Sequence, residues 1–173
     1  MMTAAVISPH PAADRATRPQ PGSDEDRFMK LLQALGYDVQ YECDSFTVPR
    51  WRRSNRRWID GEFTPDLCIV GRFGESFPEA TYLELTQADM YTNAFQLPLL
   101  IRQKNRHSSH SRKPYISPDE YLARKRKKIA KAVHCAAGSG TVLRVALLTS
   151  VEQSQLLQDS SALIDLIDHL RIA

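Results

Sequence analysis

Hydrophobic residues recur with helical spacing in three segments of the chain. The first segment opens with Ser23 and an acidic turn, which suit a helix N-terminus, and Gly36 then ends it. Its apolar positions share one helical face and are Phe28, Leu31, Leu32 and Leu35. A second helix is expected from Ser117 and Pro118 onward, and a third over residues 151–172.

Alternating or short apolar runs predict four strands. We expect them over residues 39–43, 59–70, 80–86 and 141–149. Pro65 interrupts the second run, which favours an edge or a bulge there because proline has no N–H donor. The order helix, three strands, helix, strand, helix predicts an α/β fold with a small mixed β-sheet flanked by α-helices.

The length of 173 residues suits one domain. We expect residues 1–22 to form a flexible tail and residues 23–173 a single domain, with a polar insertion at about 88–116 that is too long for a routine loop. No apolar run reaches the roughly 20 residues of a membrane span, and the N-terminus lacks the pattern of a secretory signal. These features predict a cytoplasmic protein with no membrane partner.

Positive charge is concentrated in the middle of the chain. Residues 50–131 hold seventeen basic and nine acidic side chains, whereas both flanks are acidic. A basic region of this kind suits a polyanionic partner, since phosphate contacts supply most of the affinity for nucleic acid that does not depend on sequence. A solvated basic surface is the alternative.

Two carboxylates stand among apolar residues, Asp66 in Phe63-Thr64-Pro65-Asp66 and Glu84 in Tyr82-Leu83-Glu84-Leu85-Thr86. If the second and third strands pair, Asp66 lies beside Glu84. Two such oxygen donors suit Mg²⁺, whose coordination is completed by waters and phosphate oxygens. Alternatively, Asp66 is a turn residue and Glu84 faces solvent.

At these motifs, and in the order of its elements, the chain resembles the PD-(D/E)XK nuclease superfamily over roughly residues 23–149. The resemblance implies a restriction-endonuclease-like core and a Mg²⁺ cofactor, with Mn²⁺ as a substitute. The ligands that it implies are the side chains of Asp66 and Glu84, the backbone carbonyl of Leu85 and an acid of the first helix, Glu25. The chain also resembles a bacterial subgroup with Thr-Pro-Asp and Glu-Leu-Thr motifs, whose basic run is loosely matched at residues 125–128.

One position departs from the superfamily pattern. The lysine that follows the second acid by two positions is Thr86 here, and a hydroxyl does not supply the cation that stabilises developing charge. In other branches of the superfamily this lysine lies on the neighbouring helix, which implies Lys125 or Lys128 as its replacement. The expected catalytic residues are therefore Asp66, Glu84, Thr86, Lys125 and Lys128.

The remaining cations and aromatic residues suggest where nucleic acid binds. The expected contacts are Arg52, Arg53, Arg56 and Arg57 in an Arg-rich hairpin tip, and Arg124, Lys127 and Lys131 on the second helix. Trp51 and Trp58 flank the tip and either stack on bases or cover the edge of the core. A solvated helix face is the alternative for the lysines.

Smaller signals carry less weight. Cys43, Cys68 and Cys135 lack paired metal-ligand spacing, so free thiols are expected. His107 and His110 are three residues apart but have no matching pair, which favours a solvated loop over a zinc site.

The pattern as a whole predicts a Mg²⁺-dependent nuclease domain that hydrolyses phosphodiester bonds in nucleic acid, with DNA preferred. The alternative, motivated by Thr86, is a nuclease-fold protein that binds nucleic acid or a protein partner without cutting. A third hypothesis is a subunit whose activity appears only in a complex. A protein partner or a homodimer is the association considered beside nucleic acid.

Overall fold

A computed structural model of the chain describes residues 10–11, 18–87 and 117–172. The insertion predicted at about 88–116, with His107 and His110, lies outside the described residues. So does the predicted N-terminal tail, except for residues 10–11 and 18–22.

Four α-helices are present in the described part of the chain. Their bounds are Asp24–Ala34 (α1), Pro118–Gly138 (α2), Ser150–Gln158 (α3) and Ser160–Ile172 (α4). Both predicted N-caps are confirmed, since the hydroxyl oxygens of Ser23 and Ser117 accept hydrogen bonds from backbone N–H groups in the first turn. The prediction of one helix over residues 151–172 is wrong. The helix is interrupted at Asp159. The carboxylate of Asp159 accepts hydrogen bonds from the backbone of the following turn, so a new helix starts there.

Seven strands are described. They span His10–Pro11 (β1), Tyr37–Tyr41 (β2), Asp44–Arg52 (β3), Arg57–Phe63 (β4), Leu67–Arg72 (β5), Glu75–Leu85 (β6) and Arg144–Leu148 (β7). The predicted strand over 59–70 is two strands, because the chain leaves one sheet at Phe63 and enters another at Leu67. Residues 64–66, which include Pro65, form the link between them.

The strands form a four-stranded sheet in the order β2-β5-β6-β7 and a three-stranded sheet in the order β1-β3-β4. The four-stranded sheet is mixed, since β6 and β7 are parallel while the other pairs are antiparallel. The prediction of a small mixed sheet flanked by helices is therefore confirmed. Leu67 pairs with Leu83, so Asp66, the residue before β5, lies next to Glu84 near the C-terminal end of β6.

Side chains alternate between two hydrophobic cores on either side of the four-stranded sheet. Leu83 and Leu85 pack in the core that contains residues of α1 and α4. Tyr82 and Cys68 pack in the other core, with residues of α2, β3 and β4. Because alternate strand residues share a face, Glu84 lies on the Tyr82 side of β6, the side that α2 covers.

Among the described residues, no helix is both long enough and apolar enough to cross a membrane.

Candidate metal centre and nucleic-acid interface

Asp66 and Glu84 meet at the ends of two paired strands. The Oδ2 atom of Asp66 accepts a hydrogen bond of 2.7 Å from the backbone N–H of Leu85, the residue that follows Glu84. Glu84 is 6% exposed, and its Oε2 atom is buried without a hydrogen-bond partner among the described residues. A buried carboxylate oxygen with no partner is costly, so this site favours the approach of a cation.

Lys125 supplies the positive charge nearest to this site in the described structure. Its Nζ atom lies 2.8 Å from Oε1 of Glu84 and donates a hydrogen bond of 3.2 Å to the carbonyl oxygen of Leu85. Lys125 lies in the second turn of α2, on the side of the helix that faces β6. Of the two lysines that the sequence offered, Lys125 is therefore the one with direct contact to Glu84.

The ionisation of the two acids is strongly perturbed. Burial and the neighbouring charge of Glu84 raise the pKa of Asp66 from 3.8 to about 7. Burial also raises the pKa of Glu84, although Lys125 opposes the shift. For Lys125, burial is the largest single effect and favours the neutral amine, but the charge of Glu84, the hydrogen bond to it and the charge of Asp66 together outweigh burial, so the pKa is raised. Lys125 thus only partly compensates the charges of the buried Glu84 and the half-buried Asp66.

The other two expected metal ligands differ in how close they lie to the carboxylates: Leu85 is next to Glu84, whereas Glu25 is farther away. The charge of Glu25 contributes to the raised pKa of Asp66, so the start of α1 lies within electrostatic reach. A hydrogen bond from the Gln87 amide to the Asp24 carboxylate ties the start of α1 to the segment after β6. The carbonyl of Leu85 faces the site, since it accepts from Lys125. Among the described residues, however, Glu25 and the two central acids do not bring three ligand atoms within 4.8 Å of one another.

Thr86 is buried, and its backbone hydrogen bonds connect the end of β6 to β7 and α3. It is 6% exposed, its backbone N–H donates to the carbonyl of Leu148, and its own carbonyl accepts from the side chain of Gln153. Gln153 also donates to Leu148, so this buried amide fastens the ends of β6 and β7 together. Sequence reasoning missed Gln153 because a glutamine in a helix is usually a surface residue.

A groove of about 370 Å³ runs between α2 and the β3–β4 hairpin. Arg124, Lys127 and Lys131, which were expected to bind nucleic acid, all line it, and so does Lys128. Other lining residues are Arg50, Trp51 and Glu62. Arg50 was not among the expected nucleic-acid contacts, although it lies within the Arg-rich stretch of residues 49–57 that was predicted as a turn or hairpin tip.

Lys128 connects the groove to the carboxylates. Its ammonium group lies 5.8 Å from the centre of the Phe63 ring. Partial burial lowers its pKa, and the charge of Glu84 opposes this shift. Lys128 is therefore within electrostatic reach of Glu84.

The hairpin tip is exposed. Trp51 and Trp58 pair across β3 and β4, and their rings meet edge to face with centroids 5.5 Å apart. The ammonium group of Lys131 lies 4.9 Å from the centre of the Trp58 ring, and it donates a hydrogen bond of 2.8 Å to the carbonyl oxygen of Pro49. The exposed fractions of the two tryptophans, 47% and 58%, leave ring surface available for contact.

Arg52, Arg56 and Arg57 are exposed around the turn Arg53–Asn55, and the side chain of Arg53 lies outside the described residues. The side chains of Arg52, Arg56 and Arg57 do not line the groove. The structure therefore separates the expected nucleic-acid contacts into two sets, one along α2 and one at the hairpin tip.

Comparisons with protein-family models, with curated proteins and with solved structures gave no match for this chain. The interpretation of the site therefore depends on its geometry. The half-buried Asp66 and the buried Glu84 both have raised pKa values, one oxygen of Glu84 has no hydrogen-bond partner among the described residues, and the carbonyl of Leu85 shares Lys125 with Glu84. This arrangement fits a divalent cation with oxygen ligands. Asp66 and Glu84 would hold such an ion directly, with Leu85 as a carbonyl ligand and Glu25 farther away.

Proposed function

We propose that this chain is a Mg²⁺-dependent nuclease with a restriction-endonuclease-like core and that its substrate is DNA. The observation that carries the proposal is the meeting of Asp66, Glu84 and Lys125 at the ends of β5 and β6. Two oxygen ligands and one cation, at the junction of a mixed sheet and a basic helix, match the parts required for phosphodiester hydrolysis.

Mg²⁺, or Mn²⁺ in its place, would be held by the side chains of Asp66 and Glu84 and the carbonyl of Leu85. When bound, the ion supplies Lewis-acid polarisation of the phosphodiester and activation of a water molecule. Asp66 must be deprotonated to act as a ligand, and its pKa of about 7 means that metal and proton compete for it near neutral pH.

Lys125 takes the role of the lysine that Thr86 replaces. Its ammonium group is anchored to Oε1 of Glu84 at 2.8 Å and keeps a raised pKa, so it stays charged at neutral pH. A fixed cation at this point stabilises the negative charge that develops on the phosphate during attack. Lys128, which lines the groove within electrostatic reach of Lys125 and Glu84, adds a second positive charge near the scissile phosphate.

The basic groove supports nucleic acid as the substrate class. Five cations and one acid, Glu62, line it, so the groove carries a net positive charge, and Lys128 places part of that charge within electrostatic reach of Glu84. The five cations are Arg50, Arg124, Lys127, Lys128 and Lys131. Phosphate contacts of this type position a backbone without reading its sequence. Exposed Trp51 and Trp58 offer ring faces for bases at the far end.

Cleavage assays test the proposal directly. The purified chain is incubated with supercoiled plasmid and with labelled single-stranded DNA, in Mg²⁺, Mn²⁺ or EDTA. We expect metal-dependent cleavage that is lost in Asp66→Asn and Glu84→Gln. Matched controls are Asp60→Asn on β4 and Glu75→Gln at the start of β6, since both acids are exposed. Equal cleavage by all five proteins would assign the activity to a contaminant or to another site.

A second candidate function is binding of nucleic acid without cleavage. It is favoured by the contacts of Lys125, which occupies one oxygen of Glu84 and the carbonyl of Leu85, two of the expected metal ligands. In this case the lysine permanently replaces the metal. Wild-type protein would then bind DNA equally in EDTA and in Mg²⁺, and Lys125→Met would gain the metal affinity that the wild type lacks.

A further inference from the structure

A separate cluster of metal-ligating groups lies where the connection between β2 and β3 meets β5. The Sγ atoms of Cys43 and Cys68 and a carboxylate oxygen of Asp44 all lie within 4.8 Å of one another. The thiol of Cys68 donates to Oδ2 of Asp44 at 3.6 Å. No residue of the two-carboxylate site belongs to this cluster.

The spacing of these atoms matches a tetrahedral zinc ion. Zinc binds sulfur at about 2.3 Å and carboxylate oxygen at about 2.0–2.2 Å, so a tetrahedral ion separates a sulfur from an oxygen by about 3.6 Å and two sulfurs by about 3.8 Å. The separation of 3.6 Å between Cys68 and Asp44 is already that of a bound pair. The third ligand atom, Sγ of Cys43, lies within 4.8 Å of the other two, so small side-chain rotations would bring it to the distance of a zinc ligand.

We propose that Cys43, Asp44 and Cys68 form a Zn²⁺ site. Two thiolates make a soft ligand set that selects zinc over Mg²⁺, the ion expected at the oxygen site. On binding, each thiol releases its proton to solvent, and the ligand charge of −3 is partly neutralised by the ion. Cys43 and Asp44 are half-buried and give the ion access, whereas Cys68 is 1% exposed and forms the floor of the site.

Tyr82 orients the carboxylate ligand. Its hydroxyl donates a hydrogen bond of 2.7 Å to Oδ2 of Asp44, and partners of this kind fix the direction in which a metal ligand points. Cys43 and Asp44 lie at the start of the three-stranded sheet, and Cys68 and Tyr82 lie in the four-stranded sheet. Zinc at this point would join the two sheets, and its fourth position would be filled by water.

Metal titration with a matched cysteine control tests the site. Reduced, chelator-stripped protein is titrated with Zn²⁺ and with Co²⁺, which reports thiolate coordination through its charge-transfer absorption. The wild type and Cys135→Ser should bind one equivalent, because Cys135 lies on α2 outside the cluster. Cys43→Ser and Asp44→Asn should bind at least about 100-fold more weakly, and Tyr82→Phe about 10- to 100-fold more weakly.

Three outcomes would overturn the zinc site. The first is failure of the reduced wild type to take up zinc, and the second is equal uptake by Cys43→Ser and Cys135→Ser with circular dichroism showing that both are folded. The third is a Cys43–Cys68 disulfide in protein isolated without added thiols, detected by peptide mapping, since it would make the cluster a redox pair. The double variant Asp66→Asn/Glu84→Gln should retain full zinc binding, which separates this site from the proposed nuclease centre.

Discussion

The ammonium group of Lys125 in α2 lies 2.8 Å from the buried carboxylate of Glu84 in β6. This ion pair joins a helix and a strand that are separated in the chain by the insertion predicted at about 88–116. It also brings a cation to the acid whose expected lysine neighbour is replaced by Thr86. The pair therefore relates the sequence departure at Thr86 directly to the structure.

Replacement of Lys125 by methionine tests its role as the cation of the site. Loss of a single charge-stabilising donor in an active site typically reduces kcat about 10²- to 10³-fold, and we expect Lys125→Met to show this loss with little change in DNA affinity. Single-turnover cleavage and fluorescence anisotropy measure the two quantities. The neighbouring Arg126, which is exposed on the same helix, provides the control Arg126→Met. Equal losses of rate in the two variants would remove Lys125 from the mechanism.

Stability of the metal-free protein should fall as the pH rises from about 4 to about 7. The pKa of Asp66 is raised from 3.8 in the unfolded chain to about 7, so the folded state holds the proton more tightly. The resulting stabilisation is complete below about pH 4 and is lost as the pH approaches about 7, at a cost of about 2–4 kcal/mol. The raised pKa of Glu84 acts in the same direction.

Urea unfolding at about pH 5 and at about pH 8 measures this effect, because the linear extrapolation gives the free energy of unfolding at each pH. Asp66→Asn should flatten the decline, since the amide does not ionise, and added Mg²⁺ should restore stability to the wild type at the higher pH. A pH profile identical in wild type and Asp66→Asn would show that the carboxyl of Asp66 titrates normally.

Lys131 should contribute a phosphate contact at the Trp58 end of the groove. Its ammonium group is held by the carbonyl of Pro49 and the face of Trp58, so it is positioned before DNA arrives. We expect Lys131→Ala to weaken DNA binding several-fold at moderate salt and to reduce the slope of log K against log salt by about 1.

Lys30→Ala supplies the comparison, because Lys30 is exposed on α1 and pairs with Asp26. Binding isotherms over a series of salt concentrations distinguish the two variants. An unchanged salt slope in Lys131→Ala would place the DNA elsewhere on the surface.

Local patterns in the sequence were sufficient for the first two helices and for the faces of β6, and the pairing that was assumed between the strands of Asp66 and Glu84 is present. Ser23 and Ser117 cap the helices that they were expected to cap, and the alternation around Glu84 gave the correct faces of β6. Asp159 was harder to interpret, because an acid within a helical pattern caps a new helix only when the following N–H groups turn toward it. The split at Pro65 likewise depends on the pairing of β4 with β3, a tertiary contact.

The contacts of Lys125 and the thiol cluster could not be predicted from the sequence, because both depend on tertiary contacts. Two lysines on one helix were equivalent until the packing of α2 on β6 determined which one contacts Glu84. Cys43 and Cys68 are far apart in the chain, and their approach depends on the meeting of two sheets. Linear spacing identifies metal ligands only when they come from one short motif.

Calorimetric titration with Mg²⁺ at about pH 8, where Asp66 is largely deprotonated, tests the central claim most directly. Zinc-free wild-type protein should bind Mg²⁺, and both Asp66→Asn and Glu84→Gln should lose the binding heat, while Asp60→Asn keeps it. Absence of Mg²⁺ and Mn²⁺ binding by the folded wild type, or retention of binding in both site variants, would contradict a metal centre at Asp66 and Glu84.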